Sequence, residues 1–316
     1  MVQLDIIIVN WNAGKQLYEC LRSIESIRRD GFGLNRIVVV DNASKDDSLA
    51  GINTLNIPII IIRNQENKGF AFACNQGAKG SEADYLLFLN PDTRLFEDSL
   101  IKPLVFMEQT NNWRVAIVGI QLEDENGNVA QTCARFPAPL RFFTKMTGID
   151  RLFPGYVHSH FMVEWDHNET RIVDHVIGAF LLVRRLVFEE LGRFDERFFV
   201  YLEDLDFSYR AHLAGWKSVY LATAQLYHKG GGTSDQIKAT RLFYSLRGRI
   251  QYAYKHFGWF FATLLMVGTL FLEPFCRLVL AMWRRSPAEA KETIKGIGML
   301  WLAIPKIVRN VWGSSK

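Results

Sequence analysis

The sequence has little cysteine, no dense block of basic residues and neither of the common phosphate-binding loops, and each absence excludes a class of protein. Its four cysteines are scattered without a CxxC pair or zinc-like spacing, so we expect free thiols in a reducing compartment. A net charge of +4, without basic runs interleaved with aromatics, predicts no nucleic-acid partner. The first residues lack the basic start and cleavage site of a signal peptide, which predicts a cytoplasmic location.

The turn after the first apolar run, residues 10–15, contains neither the GxGxxG pattern of Rossmann dehydrogenases nor a Walker loop. A nucleotidyltransferase would also need a glycine-rich, basic phosphate loop at this point, so that class is disfavoured. With 316 residues and 49% hydrophobic content, the chain is nevertheless long and apolar enough for a large folded domain with an appendage.

Short β-branched runs alternate with helical patterns over the first 120 residues. The predicted strands are 6–9, 36–40, 58–62, 85–89 and 115–120, and the predicted helices are 15–29, 44–55, 69–79 and 97–109. Near-continuous apolar strands are typical of a sheet that is buried on both faces. We therefore predict an α/β fold with a mostly parallel central sheet flanked by helices.

Polar residues follow the predicted strands, and a second acidic cluster lies much later in the chain. In a parallel sheet the carboxyl ends of the strands share one edge, so residues 10–12, 41–42, 64–68 and 90–92 should line one crevice. One carboxylate there suits a metal that holds a nucleotide diphosphate, and the later acidic cluster, residues 201–206, suits a general base. Taken singly, these residues could instead form turns or complement a helix dipole.

Several motifs, in this order, closely resemble those of the family 2 glycosyltransferases of GT-A fold, with bacterial rhamnosyltransferases as the nearest likeness. The motifs are IVNWN (8–12), VVVDNAS (38–44), NKGFA (67–71) with Asn75, LNPD (89–92), GAF (178–180), and FDE (194–196) running to Glu203 and Asp204. The resemblance covers roughly residues 4–255. It implies the GT-A fold for the catalytic part of the chain.

The resemblance also implies a donor site and a metal site. Nucleotide-sugar contacts are implied for Asn10, Asn12, Asp41, Asn67, Lys68, Gly69, Asn75, Asn90 and Asp92, with Asp41 accepting a hydrogen bond from the pyrimidine imide. A divalent cation, Mn²⁺ or Mg²⁺, is implied at Asp92 with His228. The family commonly shows Asp-x-Asp where this chain has Asn90-Pro91-Asp92, so only one strong anionic ligand is present there.

For the acceptor side, the resemblance implies that Asp204 is the catalytic base of an inverting transfer and that Glu203 orients the acceptor or raises the pKa of Asp204. Gly178, Ala179 and Tyr201 are implied acceptor contacts. Trp165 is expected to help shape the acceptor pocket. Each of the polar residues also has an ordinary structural explanation, as a cap, a turn or a core hydrogen bond.

The predicted donor sugar and the transfer of a single sugar rest on more specific sequence features. The QxxRW segment of processive synthases does not follow His228, which predicts transfer of a single sugar. Residues 119–135 have the pattern of a hairpin, which looks like the corresponding stretch of rhamnosyltransferases and implies dTDP-rhamnose as donor and a polyprenyl diphosphate-linked glycan as acceptor. A UDP-hexose donor, or an inactive nucleotide-sugar-binding scaffold at the membrane, remain alternatives.

The C-terminal part indicates a membrane-borne substrate independently. We predict a catalytic domain over 1–235, with a nucleotide-sugar half (1–120) and an acceptor half (121–235), followed by a helical region over 236–316. Residues 257–272 carry no charge, Pro274 should break or kink their helix, and 294–312 is amphipathic with basic residues. We expect peripheral or monotopic attachment at the cytoplasmic face of the inner membrane. A re-entrant or spanning segment, buried helices, and a homodimer interface are the alternatives.

Overall fold

The computed structural model describes residues 1–153, 159–230 and 237–313, which form two compact units. The first unit comprises Met1–Arg135, Phe161–Glu196 and Glu203–Thr233, and the second comprises Phe136–His160, Arg197–Leu202 and Ser234–Lys316. The predicted boundary at 235–236 lies outside the described residues. The predicted division into domains therefore stays a prediction.

The first unit is built on nine strands and five helices within the described residues. The strands are β1 Val2–Asn10, β2 Phe32–Asp41, β3 Ile59–Arg63, β4 Tyr85–Leu89, β5 Thr93–Leu95, β6 Val115–Glu123, β7 Arg171–Val173, β8 Phe180–Arg184 and β9 Lys217–His228. The helices of this unit are α1 Lys15–Ser26, α2 Phe70–Ala78, α3 Ile101–Glu108, α6 Arg185–Glu190 and α7 Glu203–Leu213. Each of the five predicted strands is present.

The nine strands form one sheet in the order β3-β2-β1-β4-β8-β6-β9-β5, with β7 on β9. The strands β3, β2, β1 and β4 are parallel, as predicted for the first half of the chain. Beyond β4 the sheet is mixed, because β8 is inserted antiparallel between β4 and β6 and β9 then runs parallel to β6. The α/β fold class with flanking helices is confirmed.

Alternate side chains of β1 enter two hydrophobic cores on opposite faces of the sheet. Ile6 and Ile8 pack in the core that contains Leu17 and Leu21 of α1, whereas Ile7 packs in the core that contains α2. These β1 side chains are at most 1% exposed. Burial on both faces explains why an uninterrupted apolar run was the correct signal for this strand.

Two local predictions differ from the structure. Residues 44–55 were predicted as a helix, but only a 3₁₀ turn, Ile52–Thr54, forms there. The carboxylate of Asp46 accepts hydrogen bonds from the backbone N–H groups of Gly14 and Ser48 at 2.8 and 3.2 Å, and such side-chain bonds compete with helix formation. The predicted hairpin has its turn, with the Asp124 N–H bonded to the Asn128 carbonyl at 3.0 Å, but its returning arm makes only isolated bridges.

The second unit is helical. Its helices are α4 Pro139–Thr147, α5 Ile149–Leu152, α8 Lys238–His256, α9 Trp259–Val267, α10 Glu273–Trp283 and α11 Pro287–Gly313. Because α9 and α10 are joined by a π-helical turn, Gly268–Leu272, they make one continuous helix over Trp259–Trp283. Pro274 lies in the first turn of α10 and does not end the helix, so the predicted break is wrong, whereas the predicted kink stays a prediction. In the described residues this is the one helix long and apolar enough to cross a membrane.

A short strap in the second unit, Arg197–Leu202, is fastened to α8. The ring of Phe199 stacks on Tyr244 with centroids 4.6 Å apart, and the Gln251 side chain donates a hydrogen bond to the Arg197 carbonyl at 2.9 Å. Gly248 lets the backbone approach, because a Cβ there would lie 3.1 Å from the Tyr201 carbonyl oxygen. The strap ends immediately before Glu203, the first residue of α7.

Candidate active site

One edge of the sheet collects the polar residues that follow the parallel strands. Asn10 ends β1 and Asp41 ends β2, and the two are paired in register. The Asn90 N–H, directly after β4, donates to the Ala179 carbonyl at 3.0 Å, and the neighbouring Gly178 N–H donates to Asp204. Asn10, Asp41 and Asn90 therefore lie along one edge of the first unit, as the parallel-sheet argument predicts, and Asp204 lies near the same edge.

Asn10 positions Asp41 rather than presenting its own amide to solvent. The Asn10 side chain is 0% exposed and donates to the Asp41 carboxylate at 2.8 Å and to Ser48 Oγ at 2.7 Å. Its carbonyl oxygen Oδ1 is buried without a partner in the described part of the chain. The arrangement holds the Asp41 carboxylate at the end of β2, and direct contact of Asn10 with a ligand stays a prediction.

The segment 67–69 is bound to the end of β2 through Asn42. Asn42 donates to Asn67 Oδ1 at 2.9 Å and accepts from the Lys68 N–H at 3.1 Å. Gly69, with φ of 93°, adopts a backbone conformation that side chains rarely allow. Asn12 likewise caps a loop, since its Oδ1 accepts from the Lys45 N–H at 2.7 Å.

The side chain of Asn75 is hydrogen-bonded to other groups of the protein. Its amide donates to the Phe194 carbonyl at 2.8 Å and to Glu196 at 2.9 Å, and its oxygen accepts from the Phe194 N–H at 3.1 Å. The side chain is 6% exposed. These bonds fix the FDE motif to α2, so the nucleotide contact predicted for Asn75 remains a prediction without an open group to support it.

Asp92 and His228 meet where β5 pairs with the end of β9. The Asp92 carboxylate oxygen Oδ1 lies 3.4 Å from His228 Nε2, and Thr93 is in register with His228. A carboxylate beside an imidazole is a donor set that Mn²⁺ accepts, and the oxygens of a bound diphosphate would supply further ligands. Within residues 1–153, 159–230 and 237–313, no group of three or more His, Cys, Asp or Glu side chains forms a fully protein-built metal site. The pair fits a metal bound together with a nucleotide.

Asp204 is held at the first turn of α7 by backbone donors. Its Oδ2 accepts from the Gly178 N–H at 2.8 Å and its Oδ1 accepts from the Leu205 N–H at 2.8 Å. A Cβ on Gly178 would lie 3.0 Å from Asp204 Oδ2, so glycine allows this close approach. The Asp204 side chain keeps 18% exposure, which leaves it accessible to an acceptor hydroxyl.

Glu203 differs from its neighbour, because it is 4% exposed and its Oε2 has no partner in the described residues. Burial raises the pKa of Glu203 well above its ordinary value of 4.5, and the adjacent charge of Asp204 raises this pKa further. The Glu203 carboxyl is therefore favoured in its protonated form. This pairing leaves Asp204 as the accessible carboxylate for proton abstraction.

Two predicted acceptor residues have distinct environments. Tyr201 lies in the strap, where it and Leu202 adopt positive φ of 70° and 72° immediately before Glu203. Such conformations cost roughly 1–3 kcal/mol each and are found at functional sites. Trp165 is 5% exposed and stacks on His167 with ring centroids 4.1 Å apart, so it belongs to the core. The acceptor roles of both residues stay predictions.

Sequence reasoning missed His175 and Ser208, which lie beside Asp204. His175 Nε2 is 3.6 Å from Asp204 Oδ2, and His175 Nδ1 is 3.0 Å from Ser208 Oγ. The local signals were weak: His175 lies three residues before Gly178, and Ser208 lies one helical turn after Asp204. A single histidine among apolar residues does not reveal which distant side chain it contacts.

Comparison with known proteins identifies the family of this chain. The model of the family "Glycosyl transferase family 2" matches residues 5–192. N-acetylglucosaminyl-diphospho-decaprenol L-rhamnosyltransferase of Mycobacterium tuberculosis is 25% identical over 93% of this chain and 98% of its own length. Rhamnosyltransferase WbbL of Escherichia coli is 25% identical over 61% of this chain and 72% of its own length.

Among solved structures, the mannosyltransferase PcManGT of Pyrobaculum calidifontis, solved with GDP-Man and Mn²⁺, shares the fold with a TM-score of 0.53 and 16% identity. It is matched over 98% of this chain and 87% of its own. The GT-A fold implied by the sequence motifs is thus confirmed, as is the rhamnosyltransferase-like family assignment. The chain belongs to glycosyltransferase family 2 and is a glycosyltransferase.

Proposed function

We propose that the protein transfers a single L-rhamnose from dTDP-rhamnose, with inversion, to a glycan carried on a polyprenyl diphosphate in cell-surface polysaccharide biosynthesis. The observation that carries the reaction is the Asp204 carboxylate, held by backbone N–H groups at the same sheet edge as Asp92 and His228. The choice of rhamnose and of a lipid-linked acceptor is supported by the names of the relatives.

In this mechanism the acceptor oxygen forms its bond to the anomeric carbon while the bond to the donor diphosphate breaks. Asp204 takes the acceptor hydroxyl proton, and the diphosphate leaves with the electron pair of the broken bond. Asp41, held by Asn10, binds the pyrimidine base. Asp92 and His228 would hold a divalent cation, Mn²⁺ or Mg²⁺, which supplies charge neutralisation to the diphosphate.

We further propose that the second unit binds the cytoplasmic leaflet as a monotopic element. Its long helix exposes Trp259 (62%), Phe260 (68%), Phe275 (66%) and Trp283 (81%), and Arg284 and Arg285 follow directly. Exposed aromatics beside basic residues suit an interface with anionic lipid. The apolar helix and the lipid-linked substrate in the name of the M. tuberculosis relative support this location.

The first experiment is a thermal-shift panel with dTDP-rhamnose, UDP-glucose, UDP-galactose and UDP-N-acetylglucosamine, each with and without Mn²⁺. A specific ligand raises the melting temperature by mass action. We expect a metal-dependent shift with dTDP-rhamnose. A shift with a UDP-sugar alone would overturn rhamnose, and no shift with any of them would contradict dTDP-rhamnose and these three UDP-sugars as donors.

The matched variant is Asp204→Asn. It is expected to keep the donor-induced shift and to lower transfer to N-acetylglucosaminyl-diphospho-polyprenol by roughly 10²–10⁴-fold, the usual contribution of a positioned base. Transfer at the wild-type rate would place the base elsewhere.

A further inference from the structure

A buried imidazole lies directly behind the proposed base. His175 is 4% exposed, and its backbone is fixed on both sides, because its N–H donates to the Ala134 carbonyl at 3.1 Å and its carbonyl accepts from the Ala134 N–H at 3.0 Å. The ring is therefore held against α7 by a rigid backbone. No step of the proposed transfer described above uses it.

The contacts of the two ring nitrogens select one tautomer. Nε2 is 3.6 Å from Asp204 Oδ2 and Nδ1 is 3.0 Å from Ser208 Oγ. A bare lone pair on Nε2 would face a carboxylate oxygen, which is repulsive, so Nε2 carries the proton. Nδ1 must then accept, and the Ser208 hydroxyl donates to it. Ser208 thereby orients an N–H toward the base.

The side chains around Asp204 are mostly acidic, so a neutral N–H donor beside its carboxylate is favourable. Asp204 shares its corner of the fold with Glu203 and Asp206 of α7, with Asp174 beside His175, and with the thiol of Cys74. Asp206 is neutralised by Arg210 at 2.8 Å, but no such cation contacts Asp204 in the described residues. Burial lowers the pKa of His175, so the ring is neutral at neutral pH.

We propose that His175 is a positioning residue, which uses its Nε2–H, oriented by Ser208, to keep Asp204 ionised and aimed at the acceptor hydroxyl. This inference rests on the proposed role of Asp204 as base. His175 itself transfers no proton: the acceptor proton ends on Asp204. The 3.6 Å separation is longer than a hydrogen bond, and catalytic hydrogen bonds of ligand-free enzymes commonly shorten when substrate binds.

The test is the pH dependence of kcat/KM for transfer from dTDP-rhamnose in the presence of Mn²⁺. In His175→Leu the charged carboxylate loses its N–H partner. The acid limb of the profile, where kcat/KM falls at low pH, should therefore move up by about one pH unit, and kcat/KM on that limb should be about 10-fold lower. His175→Gln restores an amide N–H near the position of Nε2 and should return the limb toward the wild type. Ser208→Ala should move it in the same direction as His175→Leu, by less.

His167→Leu is the matched control. His167 is also a buried histidine, 0% exposed, and its Nε2 accepts from the Cys133 N–H at 3.1 Å, away from the base. Its loss should lower the melting temperature without moving the acid limb. Should His175→Leu fail to fold, His175→Gln and Ser208→Ala carry the test.

If both His175→Leu and Ser208→Ala show the wild-type acid limb, the inference is wrong. If only Ser208→Ala can be measured, a wild-type acid limb in that variant is enough to overturn the inference. Asp204→Asn in the same assay separates the two proposals. If that variant retains transfer, the proposed base is wrong. If it loses transfer while the His175 and Ser208 variants keep the wild-type acid limb, only the positioning role is wrong.

Discussion

Two adjacent carboxyl groups at the start of α7 have opposite environments. Asp204 accepts two backbone hydrogen bonds, whereas Glu203 is buried with one oxygen lacking a partner in the described residues. Placing both as charged groups in one corner would cost free energy through repulsion and through desolvation of Glu203. The fold resolves the conflict by favouring the protonated form of Glu203.

The raised pKa of Glu203 makes the stability of the folded protein depend on pH. Because the pKa of Glu203 is raised in the folded state above its ordinary 4.5, the folded chain binds a proton that the unfolded chain has lost at higher pH. Stability from this group is complete below pH 4.5 and is lost as pH rises toward the raised pKa. Glu203→Gln should therefore match the wild type near pH 4 and melt at a higher temperature than the wild type at pH 8.

Glu190→Gln provides the control for this series, since Glu190 is exposed at the end of α6 and should show no such pH-dependent difference. Melting temperatures over pH 4–8 are the measurement. A wild type more stable than Glu203→Gln at pH 8 would mean that Glu203 is charged and paired.

For single residues, sequence reasoning correctly placed Asp41 and Asp92 at strand ends and Asp204 at a helix start, while their roles in the site stay predictions. It could not tell that Asn10 and Asn75 serve the fold, since that depends on partners distant in the chain. His175 escaped detection for the same reason, because its partner Asp204 is 3.6 Å away in space but on another element.

Among elements, local pattern predicted five strands and the parallel direction of the first four, but not the antiparallel direction of β8. The apolar run of β8 carries no signal that it lies antiparallel between β4 and β6, because direction is set by the chain's return path. Pro274 was overvalued as a helix breaker, because it lies two residues after a π-helical turn, where the helix already changes its hydrogen-bond register. The π-helical turn before it carries the chain on into α10.

The same helix contains a buried ion cluster. Glu273, 1% exposed, accepts from Arg249 of α8 and from Arg277 Nε at 2.9 Å. Burial alone raises the pKa of Glu273, but the charges and hydrogen bonds of both arginines outweigh it and hold the pKa below 4.5. Glu273→Ala should destabilise the helical unit by about 3–5 kcal/mol, because it leaves the buried Arg249 uncompensated.

Hydrogen exchange of α8 and α10 measures this loss directly. Glu289→Ala is the matched control, since its contact with Arg284 at 3.6 Å is about half exposed and such pairs contribute about 0–1 kcal/mol. Joint replacement of Arg249 and Glu273 by methionine should recover much of the stability. Unchanged exchange in Glu273→Ala would show that the pair stabilises nothing.

At the scale of the whole molecule, the exposed aromatic side chains of the long helix predict that the protein binds membranes. Replacing Trp259, Phe260, Phe275 and Trp283 by serine should reduce binding to anionic vesicles at least about 100-fold, because a fully buried large apolar side chain contributes roughly 1.5–3 kcal/mol. Flotation is the measurement. Ile172→Ser with Leu186→Ser, at exposed positions of the first unit, is the control and should leave binding unchanged.

Two results would contradict monotopic attachment to the membrane through these aromatic side chains. A thiol introduced at Ser286 should react with an impermeant maleimide only from the cytoplasmic side, and reaction from the opposite side would indicate a spanning helix. A quadruple variant that keeps vesicle binding but loses self-association would assign the aromatic surface to a homodimer.

The strap Arg197–Leu202 has a practical consequence for anyone who seeks a soluble enzyme by shortening the chain. Directly ahead of Glu203 and Asp204, the strap residues Arg197, Phe199 and Tyr201 pack against Gln251, Tyr244 and Gly248 of α8. Deleting the helices after residue 236 would remove that packing, so the strained Tyr201 and Leu202 would relax and the start of α7 would lose its fixed entry. We expect such a shortened chain to keep the proposed donor site and to transfer sugar slowly, because the helices after residue 236 pack the strap that precedes Glu203 and Asp204.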